Sequence, residues 1–172
     1  QPALATTLER IGREGRAGFY KGPVGEELLS VLKGLGGRHE ESDFADAVGD
    51  YVTPISTEFR GNHVWQCPPN GQGVIALLLL NIMSGVDTYG DTPLSAIRIH
   101  HEIEAGRLAY RDRGAVLADP SFSDVPVEQM LYPAYADKLR ALISDSSSLD
   151  PMPPSELPRH RSTVYILSLI HI

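Results

Sequence analysis

Several things are scarce in this chain, and each scarcity excludes a class of protein. There is one cysteine in 172 residues, so no internal disulfide framework and no thiolate metal cluster can form. There is no excess of positive charge: 15 Lys and Arg stand against 22 Asp and Glu, a net charge of -7, which leaves no electrostatic footprint for nucleic acid or anionic lipid. No uninterrupted apolar run approaches the ~20 residues of a membrane-crossing helix. The glycine-rich turn at Gly71-Gln72-Gly73 lacks both the dinucleotide fingerprint and the lysine of a phosphate-binding loop. What remains is an apolar fraction of 42% and a charged fraction of 22%, the composition of a globular domain with a core.

The most informative stretch is residues 61–85. His63 to Cys67 are of strand type, and Pro68-Pro69 must leave any sheet because proline has no N–H to give. Asn70-Gly71-Gln72-Gly73 then allows a sharp turn. From Val74 to Met83 nearly every residue is apolar, and a helix hydrophobic on all sides is buried on all sides. Other elements must cover it.

Upstream, Leu4, Leu8 and Ile11 follow Pro2 at helical spacing up to Gly15, Phe19-Tyr20-Lys21-Gly22 forms an aromatic anchor with a turn, and Val24, Leu28, Val31, Leu32 and Leu35 mark a second amphipathic helix. A short helix is expected near Ser42. Residues 51–59 alternate as a strand that Pro54 restricts to an edge, and the turn at Arg60-Gly61-Asn62 pairs it with residues 63–67 in a hairpin.

Downstream, Thr92 and Pro93 predict the start of a long helix carrying Leu94, Ile97, Ile99, Ile103, Leu108 and Ala109 to about Arg113. Residues 125–131 and 134–143 read as short helices. Residues 144–156 are rich in Ser, Asp and Pro and have no periodicity, the pattern of a surface linker or mobile loop. A strand resumes over residues 163–166. No domain boundary is visible before Ser144.

Candidate chemistry is sparse. His100 and Glu104 share a helix face at i, i+4 as metal ligands could, but no third ligand follows at a metal-site spacing, and a polar face is the plainer reading. Cys67 reads as a packed strand residue. The alternating charges of residues 107–119 read as a solvated face, with no carboxylate singled out as acid or base. Thr163 opens a β-type run after a flexible acidic stretch. If the chain were cut before it, its hydroxyl and its new α-amine would sit on one residue, a nucleophile with a built-in base.

The pieces FYKG (19–22), PISTEFRG (54–61), PPNGQG (68–73), Leu80-Asn81-Ile82, ADPSFSDVPV (118–127) and PAYADKLRALI (133–143) occur in one order. That ordered set resembles the gamma-glutamyltransferase family (gamma-glutamyltranspeptidase, glutathione hydrolase). The resemblance implies an α+β fold, the N-terminal-nucleophile hydrolase αββα sandwich. Here it would be present only as a mostly helical fragment of the large subunit: residues 1–143 with the hairpin at about 51–67, a linker over 144–162, and the first residues of the small subunit at 163–166. It implies a zymogen that cuts itself between Ser162 and Thr163, with Thr163 then catalytic on a gamma-glutamyl small-molecule substrate such as glutathione, in partnership with the small subunit and without metal or cofactor.

The family's arginine for the substrate carboxylate and its oxyanion groups would lie outside these 172 residues, so the piece alone is expected to be inactive. Relatives point to the periplasm or secretion, although a cytoplasmic location also fits. Two departures stand out. Val164-Tyr165 replace the Thr-His that many members carry after the nucleophile, which removes a hydroxyl and raises an acylase on other amides, such as β-lactam side chains, as an alternative. Residues 167–172, Leu-Ser-Leu-Ile-His-Ile, look like a translated adapter sequence and are expected to be a non-native tail. The remaining alternative is a non-catalytic helical binding module.

Overall fold

The computed structural model describes residues 1–87, 92 and 94–158. The chain forms two compact units, one ending at Tyr51 and one starting at Val52, a division that the sequence pattern does not announce. The first unit holds helices α1 (Pro2–Glu14), α2 (Ala17–Tyr20), α3 (Gly22–Gly34) and α4 (Glu41–Asp46). Its long-range tie is Arg16, whose guanidinium donates to the carbonyls of Phe44, Ala45 and Ala47 at 2.6 to 3.1 Å. The Arg16 guanidinium also lies over the Tyr20 ring. Three of the carbonyls at the end of α4 therefore find a charged donor.

The second unit begins with the hairpin of β1 (Ile55–Phe59) and β2 (Asn62–Gln66). Phe59 pairs with Asn62, so the loop is the two residues Arg60 and Gly61, at φ 53 and 75. Positive φ at both positions is the turn whose twist matches two antiparallel strands. The first strand is shorter than residues 51–59 because Pro54 cannot donate to the ladder, and Tyr51 is fully exposed. Cys67 lies past the end of β2 and is exposed, not packed.

Helix α5 (Gly73–Ser84) is the centre of this unit. The hairpin, α6 (Ala96–Val116), α7 (Val127–Leu131) and α8 (Pro133–Arg140) all pack against it. Val74, Leu77, Leu78 and Ile82 are fully buried and Ile75 and Met83 nearly so, while Leu79 and Leu80 are half-buried and Ala76 is exposed, so the helix is covered on most sides and not on all. Both ends of α5 are fitted tightly. At the start, a Cβ on Gly73 would stand 2.7 Å from the Cys67 carbonyl oxygen and 2.7 Å from the Gln66 Cβ, so only glycine lets the helix begin against the strand it follows. At the finish, Arg140 Nε donates to the Ile82 carbonyl at 2.7 Å and Nη2 to that of Asn81 at 2.9 Å, satisfying carbonyls that the helix itself leaves open. Asn81, the buried polar residue of α5, accepts from the Thr57 hydroxyl on β1 and donates to the Leu131 carbonyl at the end of α7. One amide thereby ties three elements together.

Helix α6 departs from expectation in its start and its face. It begins at Ala96, where the Ser95 hydroxyl caps the Arg98 N–H. Thr92 only closes a turn before it, through its carbonyl to Ser95 N–H; Pro93 lies outside the described residues. Of the six apolar residues expected to face the core, Leu108 and Ala109 do, while Leu94, Ile97, Ile99 and Ile103 are exposed. The buried face consists of His101, Glu104, Ala105, Leu108, Ala109, Asp112 and Val116.

Replacing Gly73 by alanine should cost about 1–3 kcal/mol, the usual penalty of overpacking a close contact. Urea unfolding of Gly73→Ala against the parent reads this directly, and equal midpoints would show that the α5 start is not tightly fitted.

Candidate active site and the segment leading to it

Ser162 and Thr163, the residues on which the sequence places cleavage and catalysis, lie outside the described residues, as does the strand expected at 163–166. What the structure describes is the approach to them, residues 144–158. This stretch has no regular secondary structure, in keeping with its aperiodic composition, but it is not a free loop. It runs alongside α6 in the same direction and is gripped at successive points.

His100 Nε2 donates to the Ser144 carbonyl at 2.7 Å, and His101 Nε2 stands 3.0 Å from the Asp145 carboxylate. One turn on, both backbone groups of Leu149 are taken. Its N–H donates to Glu104 Oε2 at 3.3 Å, and its carbonyl accepts from Arg107 Nη2 at 2.7 Å. The ring closes through Arg107 Nη1 and Glu104 Oε1, 2.8 Å apart. Another turn on, Arg111 Nη1 reaches the Pro153 carbonyl at 3.4 Å. Lys138 pairs with Glu156 at 2.9 Å, an ion pair that holds the Glu156 carboxyl below the usual range. Leu157 is buried in the core cluster, and Leu149 and Met152 pack against it.

Helix spacing explains the arrangement. Positions 100, 104, 107 and 111 recur at three or four residues and therefore line one side of α6. Beneath them sits the most enclosed ionisable group of the unit, Asp112, with no exposure at all. The Tyr135 hydroxyl donates to its Oδ2 at 2.6 Å, and Arg111 Nε to its Oδ1 at 2.9 Å. A buried carboxylate survives only with such partners. Burial, and then the hydrogen bond to Asp112, push the Tyr135 phenol well above its ordinary value.

The other sequence candidates resolve as follows. Gln72 and Gly73 form the start of α5, and Gln72 Oε1 accepts from Arg113 Nε at 2.9 Å, a structural role. His100 and Glu104 do share a side of α6, but each is spent on the 144–158 segment, and no group of three candidate ligands exists among the described residues. No described helix is long and apolar enough to cross a membrane. A cavity of about 520 Å³ opens beside the end of the segment, between α7 and α8. Of its three charged lining residues, Lys138 and Glu156 pair with each other and Glu128 is the third. Sequence reading missed Arg107, Arg111, Asp112 and Tyr135 as a group. A signal existed: His101, Glu104 and Asp112 fall on the same stripe as Ala105, Leu108 and Val116, so polar residues occupy a core-facing track.

The gamma-glutamyltranspeptidase family model matches residues 1–168. The chain belongs to that family. It is 37% identical over 139 residues to the glutathione hydrolase-like YwrD proenzyme of Bacillus subtilis, covering 81% of this chain and 26% of that relative. It is 34% identical over 144 residues to an acylase ACY 1 proenzyme of a Pseudomonas, covering 83% of this chain and 26% of that one. Among solved structures, gamma-glutamyltranspeptidase of Helicobacter pylori superposes with a TM-score of 0.75 at 30% identity, over 90% of this chain and 45% of that one. A cephalosporin acylase from Bacillus halodurans superposes with 0.68 at 36% identity, over 81% and 26%. The chain thus spans about a quarter of the length of the curated relatives it matches. Within the gamma-glutamyltranspeptidase fold it is a mostly helical portion with one antiparallel hairpin, as the resemblance implied.

The phenol in this network gives a pH signature. Because folding raises the Tyr135 pKa, its contribution to stability is complete below the unfolded value of about 10 and is lost as pH rises beyond it. Phenolate absorbance should therefore show a late-titrating component that is missing from Tyr135→Phe, and identical titration curves would contradict it. At neutral pH the same substitution removes a donor from a buried carboxylate and should lower unfolding stability by about 1–3 kcal/mol.

Proposed function

We propose that these residues are the later part of the large subunit, with the first residues of the small one, of an autoprocessed hydrolase that acts on gamma-glutamyl amides such as glutathione through Thr163. The observation that carries this reading is a family match that runs through residue 163, together with identity to relatives named as proenzymes.

The chemistry follows from what Thr163 would carry. In the precursor its Oγ1 attacks the Ser162 carbonyl carbon, the peptide C–N bond breaks, and the acyl group moves from nitrogen to oxygen. Water then hydrolyses that ester, leaving a Ser162 carboxylate and a Thr163 with free hydroxyl and free amine. In the mature enzyme the amine accepts the hydroxyl proton as Oγ1 attacks the gamma-glutamyl carbonyl. The leaving amine takes that proton, and water or an acceptor amine releases the acyl group. The missing small subunit would supply the rest of the pocket. Export to the periplasm or secretion is what the family suggests, and a cytoplasmic enzyme is the alternative.

A second reading is favoured by one residue. Val164 stands where many family members have threonine and cannot hydrogen-bond to the nucleophile, and acylases are among the relatives. An acylase on other amides, β-lactam side chains included, would use the same nucleophile and differ only in its pocket. A panel of gamma-glutamyl and acyl-β-lactam substrates separates the two.

Two outcomes are expected. Expressed from its full-length gene, the protein should run as two bands on a denaturing gel and hydrolyse a gamma-glutamyl anilide, with both properties abolished in Thr163→Ala. A single uncut but active chain would refute the reading, and a single inactive chain would favour a binding module. The 172-residue polypeptide alone should neither cleave itself nor turn over the anilide.

A further inference from the structure

The grip on Leu149 differs from the other contacts along the 144–158 segment. A contact to one carbonyl fixes a point, whereas Glu104 and Arg107 together hold the N–H and the C=O of a single residue and close the ring with each other at 2.8 Å. That geometry holds the backbone at one residue, and the packing of the Leu149 side chain against the core cluster sets which residue of the stretch stands there. It fixes register. Glu104 is 2% exposed, so the carboxylate is sequestered with these partners, while the Arg107 side chain is 38% exposed and closes the ring from the outside. Downstream, Arg111 on the Pro153 carbonyl and the burial of Leu157 carry the same register to the last described residues. Thr163 follows Pro158 by five peptide units, which reach at most about 18 Å.

Self-cleavage makes an unusual demand on such a segment. The attacking Oγ1 and the attacked carbonyl carbon belong to adjacent residues of the same chain, and their approach to about 3–3.5 Å depends on how the backbone is delivered. Turnover by the mature enzyme makes no such demand, because the bond joining residue 162 to Thr163 no longer exists.

We propose that Glu104 and Arg107 form a register clamp on the backbone of Leu149, and that self-cleavage at Ser162–Thr163 depends on it while turnover by the matured enzyme does not. The inference rests on the assignment of Thr163 as the cleavage nucleophile. Both are positioning residues, acting through the chain they hold. Glu104→Gln keeps the shape of the side chain but replaces one carboxylate oxygen by a donor, and Arg107→Lys keeps the charge but gives one point of contact in place of a fork.

The test uses the full-length precursor. The time course of cleavage is followed on denaturing gels for the parent, Thr163→Ala, Glu104→Gln, Arg107→Lys and the double variant. The turnover number is then measured per cleaved molecule, and the thermal midpoint is taken for each. Each single variant should slow cleavage on the order of ten- to a hundredfold. The double variant should be no slower than the worse single one, because the two residues act as one unit. Turnover per matured molecule should stay within about twofold of the parent.

Parent-like cleavage rates in both single variants would overturn the clamp and leave the nucleophile assignment standing. So would cleavage and turnover falling together with the thermal midpoint, since that is the behaviour of a merely structural contact. A parent that never cleaves before Thr163 would overturn the assignment itself, and the clamp with it. Arg107→Lys, at a partly exposed site, keeps the test decisive if Glu104→Gln fails to fold.

Discussion

The constraint on which the second unit depends is the covering of α5. A helix of 12 residues with apolar side chains on every side cannot rest on one neighbour; it needs a wall in each direction. The hairpin, α6, α7 and α8 provide those walls. The fittings at its ends follow from the same need, because elements that close around one helix approach it too nearly for spare atoms. Gly73 accommodates the strand and Gly85 the Arg140 guanidinium, which a side chain there would displace. Asn81 shows how a single polar group is tolerated inside the cluster: both ends of its amide are occupied, by Thr57 and Leu131.

The second layer of organisation lies on α6 and is polar. Core helices usually present aliphatic side chains to the interior, yet this one buries His101, Glu104 and Asp112 and leaves Ile97, Ile99 and Ile103 outside. The polar track is paid for by the segment it receives. Residues 144–158 have no ladder or helix of their own, so their backbone groups must be satisfied by someone else's side chains, and α6 supplies imidazole, carboxylate and guanidinium at helical intervals. Leu149, Met152 and Leu157 then pack with the core cluster. The stretch behaves as a wall of the unit and not as a tether.

How much of this was legible follows from where the information is local. The apolar run of α5, the hairpin with a turn expected at Arg60-Gly61-Asn62, and a first helix opened by Pro2 and closed by Gly15 are encoded within a few residues, and the sequence reads them correctly to within a residue or a few. The face of α6 is not local. Ile97, Ile99 and Ile103 fit a helical stripe as well as Leu108 does, and only the position of the 144–158 segment decides which side turns inward. The same segment reads as a linker or mobile loop because composition reports the lack of periodicity but not the presence of partners. Residue type alone places Cys67 inside, although the two prolines after it end the strand and leave it at the surface. The boundary after Tyr51 carries no Gly, Pro or Ser cluster that would mark it. Family membership, by contrast, was readable from six short pieces in order, and the family match bears it out.

Residues 144–158 are fixed to α6 through the backbone of Leu149. Amide hydrogen exchange resolved at that residue tests it most directly. The Leu149 amide should exchange far more slowly than an unstructured peptide of the same sequence, and protection should fall in Glu104→Gln. Exchange at the unstructured-peptide rate, in a protein whose α5 amides are protected, would contradict it.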